Sequence, residues 1–307
     1  MSEFNNLLEL QMMMCLLMAV GALFRKINLI TKEGKSVLTD LIIYYLLPCS
    51  IIRSFWVEFD STIISAGLTV FLMSVGIQVG CSLVSAFCYN SIQKEQRVIM
   101  QYGTICSNAG ILGNPLAEGL YGPLGLLYAS IYTIPQRIAM WSEGVSFFTE
   151  SPDKPTLVKK VVTHPCVIAC MIGIVMMLSG IRFPGFVSRA VDASADCLTA
   201  VSMIFVGTVL YEAGLKNVIS VLSLLYSAIR LFIIPLITMA VCMVIGTDKL
   251  AGSVCVILAA MPAGNTTAIM AAKYGGDEEF ATQLVLLTTV LSMVLLPVWS
   301  LVLDKVL

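Results

Sequence analysis

The sequence predicts an all-α integral membrane protein of about ten transmembrane helices, arranged as two inverted five-helix repeats. The first observation is composition: the 307 residues are 58% hydrophobic and 12% charged, whereas soluble domains are about 45–50% apolar and about 25% charged. The second is the regular spacing of long apolar runs, and the third is a pair of related segments, one in each half, that are rich in helix-breaking residues. Lipid must therefore solvate much of this chain.

Polar segments divide the chain into apolar runs. A run of about 20 residues is long enough to cross the hydrocarbon core of a bilayer. The first run lacks the basic start and cleavage site of a signal peptide, so we interpret it as a retained span. The longest polar stretch, residues 149–160, separates two predicted halves, 1–150 and 151–307. The runs lie at residues 5–24, 37–55, 62–89, 98–120, 123–148, 162–180, 190–210, 217–245, 250–273 and 279–303.

The distribution of basic residues predicts the orientation, because cytoplasmic loops carry an excess of Lys and Arg. Five basic residues lie after even-numbered spans: Arg53, Arg182, Arg189, Lys249 and Lys305. Eleven lie after odd-numbered spans: Arg25, Lys26, Lys32, Lys35, Lys94, Arg97, Lys154, Lys159, Lys160, Lys216 and Lys273. We therefore expect the odd-numbered loops in the cytoplasm and both termini outside the cell membrane.

The sequence lacks the patterns typical of an enzyme or a metal protein. Its ten cysteines lie almost all in apolar runs, where a free thiol behaves as a small hydrophobe. The single histidine, His164, stands beside Pro165 at a span entrance, and we interpret it as a plain loop residue. The HExxH and GxSxG motifs are both missing from the sequence. We expect no enzymatic activity, no cofactor, no metal and no nucleic-acid partner.

The penultimate runs of the two halves resemble each other. The fourth run contains SNAGILGNPLAEGLYGPLG and the ninth contains AAMPAGNTTAIMAAKYGGDE. Ala109-Gly110 matches Ala263-Gly264 at an offset of 154 residues, and Tyr121-Gly122 matches Tyr274-Gly275 at an offset of 153. Because each half holds an odd number of spans, the second half is predicted to lie inverted relative to the first.

Both segments are expected to interrupt a helix inside the membrane, with breaks at Pro115 and Pro262. Proline removes a backbone donor and clashes with the preceding turn, and glycine is costly to fix in a helix. Non-helical backbone at this depth must be buried in protein or line a wet cavity, and paired interruptions of this kind point to a transporter's binding site. The alternative is a pair of proline kinks with small residues at helix contacts.

These two segments also resemble the signature regions of the auxin efflux carrier family in its short bacterial form, within the superfamily of bile, arsenite and riboflavin transporters. The resemblance implies a sodium/proton-antiporter-like fold. In that fold, broken helices 4 and 9 cross inside a transport bundle of helices 3–5 and 8–10, beside a scaffold of helices 1, 2, 6 and 7. It further implies transport of small organic acids such as malate or malonate, and a homodimer through the scaffold. Asn114-Pro115-Leu116 replaces the Asn-Pro-Asn of plant members, which disfavours an auxin-like substrate.

Two arginines lie inside predicted spans, Arg137 in the fifth and Arg230 in the eighth. Ionisable residues inside a membrane are functional candidates by default, and a guanidinium matches a carboxylate in shape and charge. Each arginine has a structural alternative, in which it pairs with a helix C-terminus or with a carboxylate such as Glu143. Glu118 and Asp196 are candidates for coupling to Na⁺ or H⁺.

The sequence therefore predicts a secondary active transporter that moves a small organic anion by alternating access. A channel and an anion-sensing, receptor-like protein on the same scaffold are the alternatives, because a fold does not determine a function. The predicted substrate-binding residues are Asn108, Gly110, Asn114, Pro115, Pro262, Asn265, Thr266, Thr267, Arg137 and Arg230.

Overall fold

The fold is mostly helical in the residues that a computed structural model describes, which are 2–56, 60–144, 146–148, 159, 162–213, 219–274 and 276–306. The predicted link between the halves, residues 149–160, lies outside them except for residue 159. Among the described residues, five helical stretches are long and apolar enough to cross a bilayer: Glu33–Ser54, Ser61–Cys88, Gly185–Glu212, Val221–Ile245 and Glu278–Val306. The chain is thus built to be embedded in a membrane.

The first half contains six α-helices and three π-helical turns in its described part. The turn Ile42–Leu46 joins α2 to α3, the turn Ala109–Gly113 leads into α6, and the turn Met140–Gly144 extends it. The helices are α1 Ser2–Lys26, α2 Lys32–Leu41, α3 Leu47–Ser54, α4 Ser61–Cys88, α5 Lys94–Ile105 and α6 Asn114–Ala139.

Helix α6 changes direction at Gly122. Its φ of +67° is one that glycine adopts without the steric cost a Cβ would impose, and Pro123 follows directly. The boundary predicted between the runs 98–120 and 123–148 is confirmed at this point.

The second half follows the same pattern of long and interrupted helices. A π-helical turn, Ile229–Ile233, joins α9 to α10. Every apolar run predicted from the sequence overlaps one helix or a pair of shorter ones. The helices are α7 Pro165–Ser179, α8 Gly185–Ala213, α9 Val221–Ala228, α10 Ile234–Ile245, α11 Lys249–Ala259, α12 Thr266–Tyr274 and α13 Glu278–Val306.

Short polar side chains begin several of these helices, as expected at positions where backbone N–H groups lack an intrahelical partner. The Thr31 hydroxyl accepts from the Gly34 amide at 3.1 Å. One Asp248 carboxylate oxygen accepts from the amides of Leu250 and Ala251, each at 3.1 Å. These caps explain why the polar punctuation of the sequence coincides with the helix boundaries.

Helices α1 and α8 pack backbone to backbone. A Cβ atom on Gly21 would lie 2.0 Å from the Ile204 carbonyl oxygen, and one on Gly207 would lie 1.9 Å from that of Met18. Only glycine permits this approach, which is typical of helix contacts in membranes. At one end of the pair, Arg25 Nε contacts Glu212 Oε1 at 2.7 Å, and Lys35 binds the same carboxylate.

Helix α11 lies at the centre of the molecule. All residues from Ala251 to Asn265 are buried, and α11 packs against α4, α6, α10 and α13. A helix that is apolar on every face is one that protein or lipid surrounds completely. Because α11 is surrounded by other helices, it places the end of its own chain segment, residues 260–265, deep inside the protein.

Candidate functional site

The two interrupted segments meet where α5 and α11 end. Ser107 and Ala263 form an isolated antiparallel β-bridge. The backbone amide of Asn108 donates to the Pro262 carbonyl at 2.8 Å, and the backbone amide of Gly264 donates to the Cys106 carbonyl at 2.8 Å. Backbone groups freed from the two helices thus bind each other, as a site remote from water requires. We call residues 106–108 and 260–265 the crossing.

The first interruption lies at residues 106–108, so the break expected at Pro115 is wrong. Pro115 occupies the first turn of α6, where a residue without an N–H is tolerated. The π-helical turn before it is closed by the Asn114 amide, which donates to the Ala109 carbonyl. The break expected at Pro262 is confirmed, because that residue lies between the end of α11 and the start of α12.

Arg230 connects the ends of the two half-helices. It is buried, and its Nε donates to the Met261 carbonyl at 3.0 Å while its Nη1 donates to the Thr104 carbonyl at 3.3 Å. Both carbonyls lie at helix C-termini, where the macrodipole places partial negative charge. This arrangement matches the structural alternative for Arg230, whose guanidinium lies away from the cavity described next.

A cavity of about 270 Å³ borders the crossing. Pockets for drug-sized ligands usually measure about 300–1,000 Å³, so this one suits a smaller molecule. Helix α2, the π-helical turn after it, α6 and the start of α7 complete its walls. The lining residues from the crossing and the two helix starts beside it are Ser107, Asn108, Gly110, Ile111, Gly264, Asn265 and Thr266.

Two amide groups that line this cavity have no hydrogen-bond partner among the described residues. They are the Nδ2 groups of Asn108 and Asn265, whose residues are only 4% and 8% exposed. Most buried polar groups are hydrogen-bonded, so unpaired ones require an explanation such as a ligand or an ordered water. Asn114 and Thr267 also carry unpaired buried atoms, but they do not line the cavity.

Arg137 lies on the cavity wall, beside the π-helical turn that follows residues 106–108. A Cβ on Gly110 would lie 3.4 Å from Arg137 Nη2, and Arg137 Nη1 lies 3.1 Å from Nε2 of His164. His164 is also the N-cap of α7, where its Nδ1 accepts from the Cys166 amide at 3.3 Å. The interpretation of His164 as a plain loop residue is therefore wrong.

Gln136 connects α6 to the crossing through two hydrogen bonds. Its Nε2 donates to the Ser107 carbonyl at 2.7 Å, and its Oε1 accepts from the Ser107 hydroxyl at 3.2 Å. These two bonds use both ends of the side-chain amide and hold the turn that precedes Arg137. Gln136 thus positions the arginine beside the crossing.

The family follows from comparison with known proteins. A family model described as "Membrane transport protein" matches residues 8–162 and 154–300. The chain belongs to this family, that of the auxin efflux carriers. The resemblance of its two signature segments to that family is confirmed.

Two archaeal relatives match this auxin efflux carrier family member over nearly their whole length. An "Uncharacterized transporter" of Methanothermobacter thermautotrophicus is 24% identical over 306 residues, which are 98% of this chain and 99% of that protein. Another, of Methanocaldococcus jannaschii, is 20% identical over 306 residues, covering 95% and 97% of the two chains. The family is one of membrane transporters, and the chain is a multi-pass member of it.

The two candidate ion-coupling carboxylates of this family member share one partner away from the cavity. Arg53 Nη2 contacts Glu118 Oε1, and its Nη1 contacts Asp196 Oδ1, both at 2.5 Å. The Glu118 side chain is 20% exposed and that of Asp196 is 71% exposed. Arg53 thereby ties α6 to α8 at the end of α3.

Of the ten predicted binding residues, five line the cavity: Asn108, Gly110, Arg137, Asn265 and Thr266. Sequence reasoning missed further polar residues on the same walls, which are Asp40, Tyr44, Ser107, Thr133, Gln136 and His164. A signal existed for two of them. Gln136 immediately precedes the arginine inside a span, and His164 precedes a proline at the start of a helix, where a capping residue is expected.

Proposed function

We propose that the protein is a secondary active transporter that moves a small organic anion, a malate- or malonate-like carboxylate, across the cell membrane. The cavity at the crossing carries the proposal, because it gathers one arginine and two unpaired buried amides around a small volume. Two helical segments also begin there, at Ala109 and Thr266. Their N-terminal ends carry partial positive charge, which favours a bound anion.

The proposed architecture is ten spans in two inverted repeats. Spans four and nine, interrupted at the crossing, would move with their neighbours as a transport bundle against a scaffold of spans one, two, six and seven. The direct packing of α1 on α8 at Gly21 and Gly207 supports a rigid scaffold, through which we propose a homodimer. Movement of the bundle would give alternating access to the cavity.

The proposed orientation places both termini outside and the cavity entrance on the cytoplasmic side. Asp40 and His164 lie on the cavity wall, and they come from spans two and six soon after the basic loops that follow spans one and five. Those loops are the ones that the positive-inside rule assigns to the cytoplasm. Single cysteines introduced at position 91, predicted to be cytoplasmic, and at position 181, predicted to be outside, test this orientation with a membrane-impermeant reagent in intact cells. We expect labelling at position 181 and protection at position 91, and the reverse pattern would contradict the orientation.

The decisive experiment is uptake by proteoliposomes that contain the purified protein. Radiolabelled malate, malonate and an aromatic acid are offered in parallel, with empty liposomes as the control. We expect saturable uptake of malate or malonate that excess unlabelled acid suppresses. Folded protein that moves none of these acids would contradict the proposal. Ionic currents far above carrier turnover rates would indicate a channel, and binding of an acid without flux would indicate a receptor-like protein.

Asn265→Ala tests the site itself. An amide bonded to a charged ligand contributes enough that its loss should raise the apparent KM about tenfold. Asn90→Ala is the matched control, because the side-chain amide of Asn90 is exposed and donates to the Ala86 carbonyl near the end of α4 at 2.8 Å. An unchanged KM in Asn265→Ala would remove this residue from the binding site.

The proposed coupling ion is Na⁺ or H⁺, with Glu118 and Asp196 as the candidate ligands. Uptake is measured with and without a Na⁺ gradient and with and without a pH gradient, for the wild type, Glu118→Gln and Asp196→Asn. We expect one gradient to drive uptake and at least one variant to lose that dependence. If both variants respond to the gradients as the wild type does, neither carboxylate couples transport to an ion.

A further inference from the structure

Both ring nitrogens of His164 face hydrogen-bond donors. Nδ1 lies 3.3 Å from the Cys166 amide nitrogen, and Nε2 lies 3.1 Å from Arg137 Nη1. A neutral imidazole has one N–H and one acceptor nitrogen, and a guanidinium has donors only. At one of the two ring nitrogens, therefore, a donor must face a donor.

The start of α7 indicates which ring nitrogen of His164 carries the proton. The Cys166 amide lies in the first turn of α7, where it has no intrahelical partner, and Cys166 is 1% exposed. Nδ1 is the acceptor that this buried amide needs. Because the tautomer follows from the hydrogen bond made by the other ring nitrogen, the bond at Nδ1 favours the tautomer whose proton is on Nε2 and points towards Arg137.

Two donors thus converge on one place at the edge of the cavity. The residues that carry these donors, His164 and Arg137, both line the cavity. Opposed donors are stable when an acceptor, above all an anionic one, lies within reach of both. The N-terminus of α7, a helix of 15 residues, adds partial positive charge at the same point.

We infer that His164 Nε2–H and the Arg137 guanidinium together bind one carboxylate group of the transported anion. This inference rests on the function proposed above and names the part of the site that holds the charge. The unpaired amides of Asn108 and Asn265 then face the remainder of the molecule. Arg230 does not have this role because it does not line the cavity, and its Nε and Nη1 bind the Met261 and Thr104 carbonyls.

Two substitutions of His164 distinguish a role in binding the substrate from a role in capping α7. In His164→Asn, the side-chain oxygen still caps α7, since Asn is a preferred N-cap residue, but the donor that faces Arg137 is lost. In His164→Gln, the longer side chain keeps an N–H donor that reaches towards Arg137. We expect the apparent KM for malonate or malate uptake to rise about tenfold in His164→Asn and about threefold or less in His164→Gln.

The partnership with Arg137 gives a second measurement. If the two side chains bind the same carboxylate, their effects should not add. His164→Asn should therefore raise the KM clearly less in an Arg137→Gln background than in the wild type. Melting temperatures in detergent, measured without substrate, should be close to the wild-type value for His164→Asn, because the cap is retained.

The outcomes distinguish this inference from the proposed function. Wild-type protein that takes up neither malonate nor malate contradicts both. Wild-type uptake with an unchanged KM in His164→Asn contradicts the inference alone and makes His164 only a helix cap. A KM increase that is equal in the Asn and Gln variants and that adds to the effect of Arg137→Gln would also overturn it.

Discussion

The backbone amide of Asn108 donates a hydrogen bond to the carbonyl oxygen of Pro262 at 2.8 Å. The two residues are far apart in the sequence and lie in different halves of the chain. A second bond, from the Gly264 amide to the Cys106 carbonyl, makes the pairing reciprocal. Because Asn108 and Gly264 also line the cavity, the bonds that hold the interrupted helices together also fix the shape of the site.

Gly264→Ala should disrupt the crossing. A Cβ on Gly264 would lie 2.8 Å from the Cys106 carbonyl oxygen, so the two segments must separate and weaken both backbone bonds. Overpacking of this kind costs about 1–3 kcal/mol, and we expect a lower melting temperature in detergent. Gly76→Ala is the control, since a Cβ there meets no atom within 4 Å. Equal melting temperatures for the two variants would contradict this account of the crossing.

Substitution of the two intramembrane arginines should affect different properties, stability for Arg230 and uptake for Arg137. Arg230→Met leaves two buried carbonyls without their donor, at about 1–3 kcal/mol each, so the melting temperature should fall strongly. Arg137→Met removes a side chain from the cavity wall and should raise the apparent KM for uptake about tenfold or more, with little change in the melting temperature. Thermal unfolding and uptake are measured on the same preparations. If instead Arg137→Met is the less stable variant, our assignment of the two arginines is reversed.

The sequence identified the segments of the site better than its individual side chains. Clusters of Gly, Pro and Asn change the backbone wherever they occur, and that effect is local. The sequence could therefore predict four residues that line the cavity: Asn108, Gly110, Asn265 and Thr266. Pro262 marked its interruption correctly for the same reason. The boundaries of the apolar runs were predictable too, since the polar caps that end them are local signals.

Contacts between distant segments were not predictable in this way. Arg137 and Arg230 look equivalent in the sequence, yet one faces the cavity and the other binds two helix ends. Which way a side chain points depends on the rotation of its helix against its neighbours. A π-helical turn such as Ile229–Ile233, which contains Arg230, shifts that rotation without a strong sequence signal. The prediction of a break at Pro115 was wrong for a related reason. A proline in the first turn of a helix and a proline at a helix break look alike in the sequence.

The two carboxylates that contact Arg53 should contribute unequally to stability. The Glu118 side chain is 20% exposed and that of Asp196 is 71% exposed, and exposed ion pairs contribute little because water screens them. Glu118→Gln should therefore lower the melting temperature, whereas Asp196→Asn should change it by little. Repeating both measurements in high salt is informative, since added salt should reduce the Asp196 effect further. A larger loss for Asp196→Asn would mean that the exposed contact carries the stability.

Trp299 should compensate for the proline of α10. Its indole Nε1 donates to the Leu231 carbonyl at 2.9 Å, and Leu231 is four residues before Pro235. In a regular α-helix that carbonyl would accept the N–H of residue 235, which proline does not have. Trp299 thus supplies, from α13, the donor that α10 lacks.

Trp299→Phe keeps most of the ring volume and removes only this donor, so it should cost about 1–2 kcal/mol, the penalty for a buried acceptor left unpaired. Pro235→Ala returns a backbone N–H to the helix. In the Pro235→Ala background the same Trp299→Phe substitution should therefore cost clearly less, and the difference is the coupling between the two sites. Thermal unfolding of the four proteins in one detergent measures it. Equal costs in both backgrounds would mean that the indole stabilises α10 by packing alone, whereas a reduced cost shows that an interhelical hydrogen bond replaces the one that proline removed.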